Sequence, residues 1–302
     1  MRKRKHKGRN LSGLLVLDKP VGITSNAALQ QVKALYQASK AGHTGSLDPL
    51  ASGMLIICFG EATKFSQYLL DADKTYEVHA KLGEKTTTGD AEGEIVTRQS
   101  VPTFSKNEIE KVLENFRGEI RQIPSMYSAI KYQGKPLYEY ARAGIEVERQ
   151  ARPIFIYELV LRSIEKQECH LFVHCSKGTY IRTLIENIGD KLRCGAHVAG
   201  LRRLSIGKFC PNSMVSLSEL QQQTDLNELD KILLPIHLAV ANYPKVELSE
   251  TAQFYLRQGN SIIVPKAPTS GMVQLVGKND RFIGVGEILE NGKVAPRKLY
   301  QG

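Results

Sequence analysis

The arrangement best suited to chemistry in this sequence is a carboxylate set beside a proline in a glycine-rich loop. The segment KAGHTGSLDPLASGMLIICFGEATK, from Lys40 to Lys64, packs four glycines, a histidine, an Asp-Pro pair and an apolar run into 25 residues. Pro49 pushes the backbone of Asp48 out of the helical region, and Gly42, Gly45 and Gly53 let the chain turn sharply around it. Such a loop presents a carboxylate rigidly ahead of a buried element. An Asp-Pro pair also simply opens a turn, and His43 taken alone points to nothing more specific. The glycine pattern is neither GxGxxG nor GxxxxGKT, so a nucleotide phosphate loop is not supported.

A second cluster, ECHLFVHCS, brings Cys169, His170, His174 and Cys175 within seven positions. Its alternation predicts a strand, and at about 3.3 Å per residue the two cysteines lie too far apart to share one ion. No metal is expected there. The five cysteines form no CxxC pair, which points to reduced, buried thiols.

The elements that must position Asp48 are legible in outline. GLLVLDKP predicts a buried strand stopped by Pro20, and the Thr-Ser-Asn run at 24 to 26 offers caps for a helix lined by Ala28, Leu29, Val32 and Leu35. Ser105 and Glu108 form a capping box for a helix whose apolar face is Ile109, Val112, Leu113 and Phe116, with Gly118 expected to end it. TYEVHAKLGEKT alternates as a strand, and further strands are expected at 154 to 163 and 168 to 175. Beyond Thr179, Ile181, Leu184, Ile185, Ile188 and Leu192 recur at helical spacing. After Tyr243-Pro244 the character changes to short apolar runs, Val273 to Val276 and Phe282 to Ile288, with Asn291-Gly292 as a hairpin signal. The expected fold class is α+β: a mixed, largely antiparallel sheet with flanking helices, followed by a small all-β, barrel-like module.

The 302 residues carry 41 Lys and Arg against 31 Asp and Glu, for a net charge of +10. Six of those positive charges, Arg2, Lys3, Arg4, Lys5, Lys7 and Arg9, lie in the first ten residues, leaving +4 on the body. A cationic arm on a mildly basic body suits a polyanion, because neutralising phosphates releases counterions; a solvated tail is the plainer alternative. The longest apolar runs, such as Met54 to Phe59, fall far short of the roughly 20 residues needed to span a bilayer. Leu14 to Leu17 is too short for a secretory core, so a cytoplasmic protein without membrane association is expected.

The Lys40–Lys64 segment, with Asp48 in HTGSLDP, closely resembles the signature loop of bacterial tRNA pseudouridine synthases of the position-55 class. Five further blocks resemble the family in order and spacing: DKPVGITSN at 18 to 26, KTYEVHAKLG at 74 to 83, IPSMYSAIKYQGKPLYEYAR at 123 to 142, CSKGTYIRTLIENIGDKL at 175 to 192 and GAHVAGLRRL at 195 to 204. The resemblance extends from about 11 to 302, its C-terminal part being the weakest. TTTGDAEG at 86 to 93 departs from the commoner family form, which has Asp where Thr87 stands here, but keeps Asp90.

The resemblance implies an isomerase that converts a uridine of the TΨC loop of tRNA to pseudouridine without a cofactor. It implies Asp48 as the catalytic carboxylate, Arg182 as its partner and Tyr76 stacked on the target uracil with its hydroxyl near the C5 proton. Tyr180 and Leu201 would wall the pocket, and His43 would fill the stack vacated by an extruded base. Lys19, Lys64, Asp90 and Lys131 are matched positions expected near phosphates or the site. Beyond the basic tail at 1–10 read from the charges, it also implies a catalytic domain at 11–243 with an RNA-binding insertion at about 124–152, and a PUA-like RNA-binding domain at 244–302. The expected partner is tRNA alone, bound by a monomer with no obligate protein partner. An RNA chaperone and an RNA-guided synthase are the alternatives.

Overall fold

The computed structural model describes residues 8–301, so most of the basic arm lies outside the described residues. Two sheets organise the chain, one of nine strands and one of four. Across the larger, the order is Val215–Ser216, Gly13–Lys19, Ala51–Phe59, Ala196–Ile206, Lys74–Leu82, Glu168–Cys175, Arg152–Glu165 and Gly118–Gln122. The strand Ala41–Thr44 completes it by pairing with the end of Ala51–Phe59. Two pairings are parallel, Gly13–Lys19 with Val215–Ser216 and Ala51–Phe59 with Ala196–Ile206, and the others are antiparallel. The mixed, largely antiparallel expectation therefore holds.

Local chemistry accounts for the helices. Thr24 caps Ser25–Leu35 by accepting from the Ala27 amide at 3.0 Å, and Ala28, Leu29 and Val32 are buried. The Ser105/Glu108 capping box opens Lys106–Glu114, which buries Ile109 and Leu113. That helix ends at Glu114, not at Gly118, whose φ of +80° instead begins the strand Gly118–Gln122. Ile181–Lys191 buries Ile181, Leu184, Ile185 and Ile188 against the sheet, each contributing about 1.5–3 kcal/mol relative to exposure. Among the described residues no helix is long and apolar enough to cross a membrane.

The C-terminal sheet runs Lys245–Glu247, Gly271–Val276, Phe282–Ile288 and Val294–Leu299. The Asn291-Gly292 turn joins its last two strands, with Gly292 at a φ of +75°. Its four strands are hydrogen-bonded in an open order, so the barrel expected from the sequence is a sheet without closure among the described residues. Val246, Leu256, Val273, Leu275, Ile283 and Val294 give it a core of its own. Phe282, Val285 and Tyr300 pack instead with Phe65, Ile206 and Val240 of the preceding chain.

One close approach bears directly on the loop that holds Asp48. Gly53 has a φ of +95°, and a Cβ there would fall 2.2 Å from the Arg203 carbonyl oxygen. Only glycine lets Ala51–Phe59 and Ala196–Ile206 meet at this point. Gly53→Ala is expected to lower unfolding stability by at least about 1 kcal/mol, read as a fall in the urea midpoint.

Candidate active site

The Asp48 loop is fastened from three directions. The Ser25 hydroxyl accepts from the Leu47 amide at 2.7 Å and donates to the Leu47 carbonyl at 3.0 Å. The Gly22 amide reaches the Pro49 carbonyl at 2.8 Å, and the Ala51 amide closes the turn onto the Asp48 carbonyl at 3.1 Å. Asp48 therefore projects from a backbone with little freedom.

Its side chain meets Arg182, the second residue of Ile181–Lys191. Nε of Arg182 lies 3.0 Å from Oδ2 of Asp48, and Nη2 lies 3.4 Å from Oδ1, a two-pronged pairing. The rest of the guanidinium is occupied as well. Nη1 donates to the Thr88 carbonyl at 2.9 Å and lies 3.3 Å from Oδ2 of Asp90, while Nη2 donates to the Tyr127 carbonyl at 2.8 Å. Arg182 is 8% exposed and Asp90 3%, but Asp48 is 39% exposed. The arginine is thus a buried post with its aim set by Asp90, and Asp48 is the member open to a ligand.

Asp48 faces a cleft of about 460 Å³ that is also lined by His43, Tyr76, Tyr180, Arg182 and Leu201. Six sequence-selected residues from four separate blocks thus meet in one place. Burial raises the Asp48 carboxyl above its ordinary value; Arg182 and Lys19 pull it back, and Asp90 adds to the rise. The pairing therefore restrains the rise without reversing it. Burial also raises the Tyr76 phenol, with the Arg203 guanidinium opposing, and lowers the His43 imidazole, so that ring is neutral near pH 7.

The lysines divide. Lys19 is fully buried, and its Nζ donates to the carbonyls of Pro20 and Ile23, each at 2.7 Å. Burial lowers it to about 8, although Asp48 pulls it upward. It acts on the site through its charge and is closed to phosphates. Lys64 pairs with Glu61 at 2.6 Å beside Ala41–Thr44, and Lys131 stands exposed in the hairpin Lys131–Tyr132/Lys135–Pro136; neither lines the cleft. Thr87 accepts from the Glu94 amide at 3.2 Å and serves the turn around Asp90. Cys169 and Cys175 are buried thiols, raised by burial to about 11 and about 12.

Comparison with known proteins shows the family. The chain matches a model described as TruB family pseudouridylate synthase (N terminal domain) over 33–181. It also matches the tRNA pseudouridylate synthase B C-terminal domain over 182–241 and Pseudouridine synthase II TruB, C-terminal, over 244–300. It is 53% identical to tRNA pseudouridine synthase B of Coxiella burnetii (strain RSA 493 / Nine Mile phase I), covering 97% of this chain and 96% of that one. The same identity holds to the protein of that name from Shigella boydii serotype 4 (strain Sb227), with 99% and 98% covered. The chain belongs to the TruB family of pseudouridylate synthases. Its fold is similar to a chain of a Cbf5-Nop10-Gar1 complex, with a TM-score of 0.74 and 26% identity over 96% of this chain and 84% of that one. A chain of an H/ACA RNP bound to a substrate RNA containing 2'-deoxyuridine gives 0.74 and 25% over 96% and 85%.

In this TruB-family chain the sequence reading missed the residues that hold the cleft together from behind. Arg203 is buried; its Nε donates to the Met54 carbonyl at 2.7 Å and its Nη2 to the Gly45 carbonyl at 2.8 Å, tying the Asp48 loop to the floor beneath Tyr76. Gln122 clamps Tyr180 by its backbone, accepting from the amide at 2.8 Å and donating to the carbonyl at 3.0 Å. Strand alternation could have separated inward Arg203 from Arg202, which pairs with Asp18 at 2.7 Å. Nothing local marks Gln122.

The raised Asp48 carboxyl has a consequence for stability. A carboxyl raised by folding stabilises the fold below its unfolded pKa, and that contribution is lost as pH rises through the folded pKa. At pH 7 ionised Asp48 therefore carries a cost that Asp48→Asn removes. The melting temperature of Asp48→Asn at pH 7 is expected to equal or exceed that of the wild type, as read by calorimetry.

Proposed function

We infer that the protein is a tRNA pseudouridine synthase, an isomerase that converts uridine-55 in the TΨC loop of tRNA to pseudouridine. The observation that carries the reading is one carboxylate, Asp48, gripped by a buried arginine at the base of an aromatic-lined cleft. The reaction breaks the N-glycosidic bond, turns the base and joins C5 to the same sugar carbon; C5 gives up a proton and N1 gains one. No electrons leave and no water is consumed. The demand on the protein is an ionised carboxylate, a pocket that retains the detached base and a route for one proton.

Asp48 meets the first demand, either by adding to the nucleotide or by assisting glycosidic cleavage. Arg182 orients it, and Asp90 in turn holds Arg182, which is a positioning role. The target base is extruded from the folded loop, as base-modifying enzymes require. Tyr76 stacks on the uracil between walls formed by Tyr180 and Leu201, and its hydroxyl lies at the C5 proton. A neutral His43 ring replaces the base in the RNA stack, a role that needs a flat face and no charge. Lys131 and the neighbouring Tyr132, Tyr138 and Tyr140 form the RNA-facing surface of the 124–152 insertion. Lys64 lies toward the phosphates, and Lys19 supports the Asp48 loop.

The same reading places catalysis in 11–243, with 244–302 as a PUA-like RNA-binding domain, and has a monomer acting in the cytoplasm without cofactor or protein partner. The solved H/ACA and Cbf5 assemblies favour a second reading, an RNA-guided synthase. Bare, unmodified tRNA separates the two, because a guided enzyme leaves it unconverted.

With purified protein and unmodified tRNA, the wild type is expected to convert one TΨC-loop uridine and Asp48→Asn none, while tRNA affinity is retained. Equal conversion by both would refute the role of Asp48. Arg182→Lys loses the two-pronged grip and is expected to lower single-turnover rates by about 100-fold or more, the cost of a misplaced reacting group. Wild-type single-turnover rates should fall as pH drops through the Asp48 carboxyl, with the acid limb centred above the ordinary value of 3.8. Tyr76→Phe keeps the stacking ring, so affinity should hold while the rate falls.

A further inference from the structure

His79 and His170 are direct cross-strand partners in Lys74–Leu82 and Glu168–Cys175. Strand alternation turns both away from the core face that buries Tyr76, Val78, Leu171 and Val173. Their rings lie parallel, with centroids 4.4 Å apart and planes inclined by 9°. Glu168, two residues before His170, reaches the same point, its Oε2 3.2 Å from Nε2 of His79. One donor atom from each of the three side chains lies within 4.8 Å of the other two.

Nε2 of His79 is buried and lacks a hydrogen-bond partner despite the nearby carboxylate. The pair is close but not aligned as a hydrogen bond, so Nε2 is left as an unpartnered buried nitrogen beside a carboxylate. The cationic side chains that line the same cavity are otherwise engaged: Arg202 with Asp18 at 2.7 Å, and Arg162 over the Phe172 ring at 5.2 Å. The cluster opens onto a cavity of about 670 Å³ on the outer face of the sheet, also lined by Glu77 and Gly200.

We propose that His79, His170 and Glu168 form a binding site for a divalent transition metal of the Zn²⁺ class. Two imidazoles and a carboxylate with the fourth position open make a donor set that zinc uses, whereas Mg²⁺ and Ca²⁺ favour all-oxygen shells. Bonds of about 2.1 Å would draw the donors to about 3.4 Å apart and require the stacked rings to turn out of parallel so that a nitrogen of each faces the ion. The bound ion would tie Lys74–Leu82 to Glu168–Cys175 three residues from Tyr76, stiffening the strand that carries it.

Titration of the full-length protein with ZnCl₂ by calorimetry, and with Co²⁺ by visible absorption, tests the site on the wild type, His79→Gln, His170→Gln and Glu168→Gln. The expected result is one equivalent of Zn²⁺ and a tetrahedral Co²⁺ band in the wild type. Each variant should bind at least about tenfold more weakly, since lost outer partners alone cost 10–100-fold. Zn²⁺ should raise the wild-type melting temperature and leave His170→Gln unmoved. Metal-free melts showing that the variants are folded keep the comparison sound. An absence of binding by the wild type, or equal affinity in folded variants, would overturn the proposal, the latter by placing the ion elsewhere on the chain.

Discussion

The guanidinium of Arg182, shared between Asp48 and Asp90, is the constraint on which the rest of the site depends. A buried arginine is stable only when its donors are matched, and here they are matched by two carboxylates and the carbonyls of Thr88 and Tyr127. Three separate stretches of chain, around Asp48, around Thr88 and Asp90, and around Tyr127, therefore converge on one side chain. Because Asp90 is buried and Asp48 is not, the network is asymmetric: one carboxylate anchors and the other stays available.

The site sits against an irregular seam of the sheet. Ala196–Ile206 changes register against Lys74–Leu82 at two points, and it meets Ala51–Phe59 through the close approach at Gly53. Arg203 then links this seam to Gly45 in the Asp48 loop. Asp48 is thus mounted on a junction of strands, with Ser25 and Gly22 fastening the loop from the other side. Preorganisation of this kind lets a single carboxylate suffice, since the geometry is set before a substrate arrives.

Electrostatics within the cleft favour uncharged neighbours. Burial keeps the Tyr76 phenol protonated and the His43 ring neutral. Rings without charge suit the stacking of a neutral uracil and of the RNA bases around it. Cations suited to phosphates, such as Lys131, lie outside the cleft on exposed backbone. The division follows from solvation: a phosphate contact needs a hydrated, mobile cation, and a dry pocket penalises one.

The sequence by itself determined the elements and the reactive loop. Capping at Thr24 and Ser105, the helical period from Ile181 and the alternation of Lys74–Leu82 are local signals, and local backbone physics reads them directly. The glycine-rich turn around Asp48 was legible for the same reason, whereas the role expected of Asp48 and of its partners came from the family resemblance. Tertiary structure decided what depends on distant neighbours. Gly118 starts a strand where helix termination was expected, the C-terminal strands remain an open sheet, and Arg182 restrains the Asp48 carboxyl without bringing it below its ordinary value. Gln122, which nothing local marks, became visible only once its hydrogen-bond partners were known. Lys19, expected near the site or near phosphates, is buried at the site's rear. Each of these outcomes turns on desolvation or on a close approach between segments far apart in the chain, and neither leaves a periodic mark in the local sequence.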